Sequence, residues 1–214
     1  LLDRERLSDR QKRIHRDSKA EWPQRSDAPG GTAYLCVVDS AGLGVSLIQS
    51  NFTGLGSEIG AGDAGFLLHN RGAGFNLREG HPNELKPGRR PLHTLSPTLW
   101  THNGELRLLL GTRGGYHQPQ LLIQVIAQLF RLGEEPAGAQ AAPRWIIDTD
   151  DDLHLEATMP GAVIDGLRTR GHSVSVEEAH QSRWGPVSMI SLSDNGLRTA
   201  AADPRVDTAL AVLN

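Results

Sequence analysis

A glycine-rich turn in the middle of the chain has the features of an anion-binding site. The segment Gly111-Thr112-Arg113-Gly114-Gly115 follows the apolar run Leu106–Leu110 and precedes a helix that we predict to begin near Pro119. Adjacent glycines let the backbone turn so that its N–H groups point at one place, beside the positive end of the helix dipole. This arrangement suits an anion or the oxyanion of a reacting carbonyl, although a plain strand-to-helix turn fits the same residues.

Thr32 is a second candidate, because this small hydroxyl residue comes directly after Gly30-Gly31 and directly before a predicted strand. If the Gly31–Thr32 bond were cut, the new α-amine would lie beside the threonine hydroxyl. Such an amine can serve as the base for its own nucleophile. On composition alone, however, a purely structural threonine is the more common case.

Metal and nucleotide chemistry find no support in the sequence. The nine histidines include no His-Glu-x-x-His motif, and the acidic stretch 148–152 lacks the turn glycine and the closing glutamate of a calcium loop. No Gly-x-x-x-x-Gly-Lys or Gly-x-Gly-x-x-Gly motif is present. We therefore expect no metal ion and no cofactor.

The overall composition is that of an ordinary globular chain of 214 residues. Its net charge is −3 and its pI is near 6.3, so a basic nucleic-acid surface is not expected. No apolar run is long enough for a membrane span. The single cysteine, Cys36, permits no intrachain disulfide and leaves the compartment open, with the cytosol slightly favoured over the periplasm. The start at Leu1-Leu2, without methionine, indicates a piece of a longer precursor.

A change in composition divides the chain near residue 30. Fourteen of the first 31 residues are charged, against 33 of the remaining 183. The first segment predicts a polar helix, and the Pro-, Ser- and Gly-containing stretch from Pro23 to Gly31 predicts an exposed linker. Residues 32–214 form the second region.

The second region predicts a layered α+β fold. Tyr34–Val38 reads as a strand buried on both faces, and a turn at 39–42 joins it to Gly44–Ile48 in a hairpin. Two helices are predicted, from Pro119 to a stop at Gly133 and from Pro160 to a stop at Gly171. Because hairpin-paired strands precede grouped helices, we expect no alternating βαβ order. Further strand candidates are Gly65–Leu68, Leu95–Trp100, Leu106–Leu110, Leu153–Ala157, Ser173–Glu177, Val187–Leu192 and Leu197–Ala201.

From Thr32 to Asp207 the chain resembles the small subunit of the γ-glutamyltransferase (γ-glutamyltranspeptidase) family, which belongs to the N-terminal nucleophile hydrolases. The resemblance covers nearly all of the last 183 residues, in matching order and spacing. The matching segments are Thr32 with Val37-Val38-Asp39, Gln49-Ser50-Asn51-Phe52-Thr53-Gly54-Leu55-Gly56-Ser57, Asn70-Arg71-Gly72-Ala73-Gly74-Phe75, Pro87-Gly88-Arg89-Arg90-Pro91-Leu92-His93-Thr94-Leu95-Ser96-Pro97-Thr98, Gly114-Gly115, Ala142-Pro143-Arg144 and Ala202-Asp203-Pro204-Arg205.

The resemblance implies a proenzyme that cuts itself between Gly31 and Thr32 and then uses Thr32 as the nucleophile on an amide. It places Ser50 where the family has a hydroxyl that hydrogen-bonds the nucleophile, and the backbone N–H groups of Gly114 and Gly115 in the oxyanion hole. The family's acyl group is γ-glutamyl, as in glutathione, and it passes to water or to an amine. Residues 1–31 are then the C-terminal tail of the large subunit.

The resemblance also shows where this chain departs from the family's glutamate pocket. A Gln and an Asp that hold the substrate's α-amino acid end are replaced by Arg71 and Gly74, and an expected asparagine is Phe52. A serine pair that binds the α-carboxylate is replaced by His93 and Thr94. These residues look more like the subgroup of cephalosporin or glutaryl acylases and γ-glutamyltransferase-like hydrolases. Arg71 could pair with a substrate carboxylate or lie at a subunit contact.

The family's fold is a four-layer αββα sandwich built by both subunits, so this chain should supply only the small-subunit part. We expect it to expose apolar sheet and helix surfaces that a large-subunit partner covers. Two non-enzymatic alternatives remain: a family member with an intact Gly31–Thr32 bond that acts as a binding module, and a β-rich carbohydrate-binding module. The second alternative is disfavoured by the low aromatic content of 5%.

Overall fold

The computed structural model describes residues 4–12, 31–148, 152–207 and 211–212. Within these residues the chain has four α-helices and nine strands. The helices are α1 (Arg4–Gln11), α2 (Gln118–Arg131), α3 (Pro136–Ala141) and α4 (Gly161–Thr169). The strands are β1 (Ala33–Val38), β2 (Gly44–Gln49), β3 (Thr98–His102), β4 (Glu105–Thr112), β5 (Trp145–Ile147), β6 (Leu153–Glu156), β7 (Val174–Glu177), β8 (Val187–Leu192) and β9 (Arg198–Ala201).

The predicted hairpin forms, and it packs on a four-stranded antiparallel sheet. Strands β1 and β2 pair antiparallel, and the larger sheet has the order β3-β4-β8-β9. The two layers approach closely at Gly111, where an added Cβ would lie 2.2 Å from the Tyr34 ring. A glycine is therefore required at this point of β4.

Helices α2 and α3 cover the other face of the four-stranded sheet. Because side chains alternate along β4, Leu108 and Leu110 face the helices, whereas Leu109 faces the hairpin. Helix α2 begins and ends as predicted, with Gly133 at φ +72° just beyond it. The core between the sheet and the helices is apolar, and its buried members are Leu108, Leu110, Leu122, Val125, Ala139, Val187 and Met189.

A third, smaller sheet has the order β5-β6-β7. Strands β6 and β7 are parallel, and α4 connects them. The described residues therefore include a βαβ unit that the sequence did not signal, within a fold that, as expected, does not alternate strands and helices throughout. The α4 helix itself was predicted, while the short α3 and β5 were missed because three to six residues give too little periodicity.

One strand prediction and one burial prediction are wrong. Gly65–Leu68 forms only an isolated bridge from Leu67 to Gly60. Strand β1 is not buried on both faces in this chain, since Leu35 and Val37 are 48% and 54% exposed. Their register partners on β2, Leu47 and Val45, are about equally exposed. The hairpin thus presents an outward apolar face of four residues, in agreement with the expectation of uncovered sheet surface.

The remaining sequence expectations concern membranes and metals. None of the helices in the described ranges is long and apolar enough to cross a bilayer. The same ranges contain no group of three His, Cys, Asp or Glu side chains that could hold a metal ion. Residues 149–151 of the acidic stretch, like 13–30 of the predicted tail and linker, lie outside the described residues.

Candidate active site

Thr32 and Ser50 meet at the open end of the hairpin. Thr32 immediately precedes β1 and Ser50 immediately follows β2, and the pairing of Ala33 with Gln49 brings the two residues opposite each other. The Thr32 hydroxyl donates a hydrogen bond to Ser50 Oγ at 2.9 Å. Ser50 Oγ also accepts the Phe52 N–H at 2.9 Å, which holds the serine hydroxyl in place. A threonine hydroxyl is thus oriented by a fixed polar partner.

The residue before Thr32 is also held at the site. The Gly31 N–H donates to the Gly54 carbonyl at 3.4 Å, so the Gly31–Thr32 peptide lies beside the loop that follows Ser50. Gly31 is exposed. The Gly31–Thr32 peptide bond is within reach of the Thr32 hydroxyl, because Thr32 is the residue that directly follows the bond.

The glycine turn after β4 adopts a conformation that requires glycine. Gly114 and Gly115 have φ values of +129° and +56°, and a Cβ on Gly114 would lie 3.1 Å from Leu121 Cδ1. Neither N–H has an acceptor among the described residues. The turn leads through a 3₁₀ turn at Gly115–His117 into α2, so its N–H groups lie at the positive end of a helix.

A cavity of about 490 Å³ joins these two features. Its described lining contains Thr32, Ser50, Gly114 and Gly115, together with basic side chains and no carboxylate. The other lining residues are Phe52, Thr53, Thr94, Arg113, Tyr116, His117, Ile146, Ser182 and Arg183. A nucleophile, its hydroxyl partner and an oxyanion-binding turn are the parts that acyl transfer from an amide requires.

Arg71 lies directly behind this cavity and is only 3% exposed. Its Nη1 donates to Thr94 Oγ1 at 3.0 Å and its Nη2 to the Ser50 carbonyl at 3.3 Å. The Phe52 ring covers the guanidinium, with 5.4 Å between Cζ and the ring centroid. Burial lowers the pKa of Arg71 from its usual value. The residue therefore contacts the active cavity through Ser50, Thr94 and Phe52.

The two residues predicted at the serine-pair position separate in the structure. Thr94 is buried, lines the cavity and holds Arg71, whereas His93 is exposed and is not among the described lining residues. Gly74 lies close to the cavity, since a Cβ there would be 3.4 Å from Tyr116 Oη.

Phe52 has an unusual backbone for an aromatic residue, with φ at +79°. Asparagine tolerates this region far better than phenylalanine, so the chain accepts strain of about 1–3 kcal/mol here. The Phe52 ring packs edge-on against Tyr116, 5.8 Å between centroids, and covers Arg71. The strained backbone thus places an aromatic wall between a buried cation and the cavity.

A buried ionic network, whose role the sequence reasoning missed, supports the glycine turn from behind. Arg144 donates to Asp203 at 2.7 Å and to the Trp184 carbonyl at 2.9 Å. It also donates to the Gly185 carbonyl, whose oxygen lies 2.8 Å from Thr112 Oγ1 at the end of β4. The network therefore connects Arg144 and Asp203 to Thr112, the last residue of β4 before the glycine turn.

Gly185 is the contact point between this network and the turn. Its φ is +62°, and an added Cβ would lie 2.3 Å from Leu121 Cδ1 and 2.7 Å from the Arg113 carbonyl. Any larger residue would push on the segment that carries Gly114 and Gly115. One sequence signal could have identified this support: the matching segments at 142–144 and 202–205 carry the charged residues Arg144, Asp203 and Arg205 beside alanine and proline.

Basic and acidic groups surround the opposite wall of the cavity. Burial and then Arg183 lower the pKa of His117, which favours its neutral form. His154 lies between Asp148 at 3.0 Å and Glu177 at 2.5 Å, and the hydrogen bond to Asp148 raises its pKa most. Glu177 also binds Arg183. Charge at this wall is therefore largely paired.

The chain is similar to known proteins over most of its length. The family model described as Gamma-glutamyltranspeptidase matches residues 1–213. A glutathione hydrolase-like proenzyme of Bacillus subtilis is 37% identical over 183 residues, which covers 83% of this chain and 35% of that protein. An oxamate amidohydrolase proenzyme of Klebsiella pneumoniae is 35% identical over 188 residues, covering 86% of this chain and 36% of that protein.

A solved structure shows the same fold. The crystal structure of a cephalosporin acylase from Bacillus halodurans superposes with a TM-score of 0.76 at 32% identity, covering 96% of this chain and 38% of that one. The expected α+β fold of the N-terminal nucleophile hydrolases is confirmed, with this chain as its smaller part. The chain spans about a third of the length of the curated relatives it matches. It belongs to the gamma-glutamyltranspeptidase family.

Proposed function

We propose that this chain is the small-subunit region of a self-processing amidohydrolase or acyltransferase in which Thr32 is the nucleophile. The observation that carries the proposal is the Thr32 hydroxyl, 2.9 Å from Ser50 Oγ, in one cavity with Gly114 and Gly115, whose N–H groups have no acceptor in the described part of the chain. Residues 1–31 then form the end of the large subunit, and the large subunit is the partner that completes the enzyme.

Processing begins with attack of Thr32 Oγ1 on the Gly31 carbonyl carbon. The C–N bond breaks as the acyl group moves to oxygen, and the Thr32 nitrogen becomes a free amine. Water hydrolyses the resulting ester and releases a new carboxylate on Gly31. The hydrogen bond of the Gly31 N–H to the Gly54 carbonyl supports this step because it holds the junction beside the loop that follows Ser50, and the exposure of Gly31 leaves the junction open to water.

In turnover the Thr32 hydroxyl attacks the carbonyl carbon of a substrate amide and gives its proton to the α-amine. The oxyanion accepts hydrogen bonds from the N–H groups of Gly114 and Gly115, and loss of one such donor typically costs about 10²–10³-fold in rate. The amine returns the proton to the leaving nitrogen, and an ester to Thr32 remains. Water or an acceptor amine then releases the acyl group.

The acyl group that we propose is γ-glutamyl, as in glutathione, or a related acyl group. The similarity to a glutathione hydrolase-like proenzyme supports the first choice. A cephalosporin acylase-like amidase is the second candidate. It is favoured by the similarity to a cephalosporin acylase and by Arg71 and Gly74, which the resemblance places where the family holds the α-amino acid end of the glutamyl group.

The experiment follows processing of the full precursor by intact mass. We expect wild type to yield a fragment that begins at Thr32, and Thr32→Ala to remain uncut. Thr101→Ala, the same change at an exposed position on β3, is the matched control and should process normally. An uncut wild type would instead favour the binding-module alternative.

A further inference from the structure

The proposed oxyanion hole uses two N–H groups, and each belongs to a peptide unit whose carbonyl is held on the opposite side. In a trans peptide unit the C=O and the N–H point in opposite directions. The Gly114 N–H shares its peptide with the Arg113 carbonyl, and the Gly115 N–H shares its peptide with the Gly114 carbonyl. Whatever holds these two carbonyls therefore also sets the direction of the two N–H groups.

The Gly114 carbonyl is held by the backbone. It accepts a hydrogen bond from the His117 N–H at 3.0 Å, within the 3₁₀ turn that leads into α2. This hydrogen bond joins two main-chain groups, so it does not depend on the identity of a side chain. The direction of the Gly115 N–H is thus set by the turn that begins the helix.

The Arg113 carbonyl, in contrast, depends on a side chain. It accepts a hydrogen bond from the Thr112 hydroxyl at 3.0 Å, and no second donor to this carbonyl occurs in the described ranges. Continued by one residue, the pairing of Thr112 with Val187 sets Pro186 opposite Arg113. Because proline has no N–H, the ladder between β4 and β8 offers the Arg113 carbonyl no donor at this position.

Thr112 is placed to supply this hydrogen bond. It is fully buried, and its Oγ1 lies 3.0, 2.8 and 2.9 Å from the carbonyl oxygens of Arg113, Gly185 and Pro186. The Gly185 carbonyl already accepts a hydrogen bond from Arg144, so it does not depend on the single hydroxyl proton of Thr112. A buried carbonyl that loses its donor is costly, which makes the hydroxyl important for the Arg113 peptide.

The backbone at Gly114 does not hold the peptide by itself. Its φ is +129°, a value that glycine tolerates but does not require. A half-turn of the Arg113–Gly114 peptide would bring this φ to about −50°, which is open to every residue. The half-turn would direct the Gly114 N–H out of the proposed oxyanion hole and the Arg113 carbonyl into it. A contact outside the peptide is therefore needed to keep the observed orientation.

We propose that Thr112 is a positioning residue for acyl transfer: its hydroxyl holds the Arg113 carbonyl and thereby keeps the Gly114 N–H directed at the oxyanion. Thr112 is not among the described residues that line the cavity, so it acts through the peptide and not on the substrate. The inference rests on the proposed function, because it assigns a task within the same reaction.

Three substitutions at position 112, made in the full precursor and assayed on the processed enzyme, separate the hydroxyl from the methyl group. Thr112→Val keeps the shape without the hydroxyl, Thr112→Ala loses both groups, and Thr112→Ser keeps the hydroxyl. The substrate is γ-glutamyl 4-nitroanilide or, where wild type does not cleave it, glutaryl 4-nitroanilide.

We expect kcat to fall by about 10²-fold in Thr112→Val and Thr112→Ala, as for the loss of one oxyanion donor. KM should change by less than about threefold, because the oxyanion forms only in the transition state. Thr112→Ser should keep kcat within about threefold of wild type, since it retains the donor. A general loss of packing would not produce this rescue by serine.

Thr98→Val is the matched control, because the Thr98 hydroxyl donates to the Leu110 carbonyl of β4 at 2.6 Å. Thr98 does not belong to the described cavity lining, so this variant should keep wild-type kcat. The proposal is overturned if Thr112→Val keeps wild-type kcat, or if Thr112→Ser or Thr98→Val is as slow as Thr112→Val. It is also overturned if neither Thr112→Val nor Thr112→Ala folds, because the hydroxyl then serves the fold as a whole.

Crystal structures of wild type and Thr112→Val test the inference without a substrate and separate it from the proposed function. The Arg113–Gly114 peptide should keep one orientation in wild type and turn over, or occupy two orientations, in Thr112→Val, whether or not the variant is cut before Thr32. If the peptide turns but processed wild type cleaves no amide, the proposed function fails and Thr112 still positions the turn. If wild type cleaves amides through Thr32 and the peptide stays in place in Thr112→Val, only the role of Thr112 fails.

Discussion

Replacement of Gly185 by alanine should damage catalysis without any contact between the new methyl group and substrate. The added Cβ would lie 2.3 Å from Leu121 Cδ1 and 2.7 Å from the Arg113 carbonyl, against an ordinary contact of 3.4 Å or more. The Leu121 side chain can turn aside, but the Arg113 carbonyl must move by about 0.7 Å. A misplacement of about 1 Å can cost about 10²-fold when it affects reacting geometry. The segment that moves carries the N–H groups of Gly114 and Gly115.

The stability cost of the same change can be separated from its effect on rate. A left-handed backbone costs a residue with a Cβ about 1–2 kcal/mol, and overpacking adds about 1–3 kcal/mol. Gly196→Ala is the matched control, because Gly196 has φ at +79° but nothing within 4 Å of the new methyl group. It should show only the first cost.

Urea unfolding and steady-state kinetics on the processed enzyme measure the two effects. We expect Gly185→Ala to lower kcat by about 10²-fold with a small change in KM, because the oxyanion contact forms fully only in the transition state. Gly196→Ala should keep wild-type kcat. Equal kcat values for the two variants would refute the idea that Gly185 positions the turn.

Three further predictions concern the buried network, the cavity wall and the hairpin. Arg205→Gln leaves the Glu156 carboxylate buried without its ion-pair partner, while Asp203 keeps Arg144, so urea unfolding should show a loss of about 3–5 kcal/mol. The pKa of His154 is raised, chiefly by Asp148, so its contribution to stability is present below the ordinary value of 6.5 and is lost as the pH rises through the raised value. The melting temperature of wild type should accordingly fall more between pH 6 and pH 8 than that of His154→Gln, and parallel curves would contradict this. Leu35→Gln with Leu47→Gln should reduce co-purification of the large subunit, whereas Leu77→Gln, at an equally apolar and 84% exposed position, should not.

The sequence was informative where local chemistry decides the structure. Asn103-Gly104, a pair typical of tight hairpin turns, connects β3 and β4, and both residues have positive φ. Proline near the first turn and glycine beyond the last turn bounded α2 and α4. The glycine turn before α2 was recognised for the same reason, since its φ values require glycine.

Long-range packing limited the remaining predictions. The alternation of side chains along β1 does not tell which layer covers each face of the strand. The apolar side chains on the outward face of β1 are exposed in this chain. Gly65–Leu68 has strand-like composition, but no neighbouring strand pairs with it beyond one bridge within the described residues. The βαβ unit depends on the parallel pairing of β6 and β7, which hairpin signals do not report.

The site was predicted in part for the same physical reasons. Thr32, Ser50, Gly114 and Gly115 came from matching motifs, and the structure brings them to one cavity. The roles of Arg144 and Gly185 depend on contacts between segments about 40 residues apart in the chain, which no local pattern encodes.

The most direct test of the central claim is to trap the acyl-enzyme on the processed protein. After rapid acid quench during turnover of an amide substrate, the fragment that begins at Thr32 should gain the mass of the acyl group. Fragmentation should locate the ester on the Thr32 side chain. An acyl group on another residue, or turnover that persists after Thr32→Ala, would contradict the assignment of Thr32 as the nucleophile.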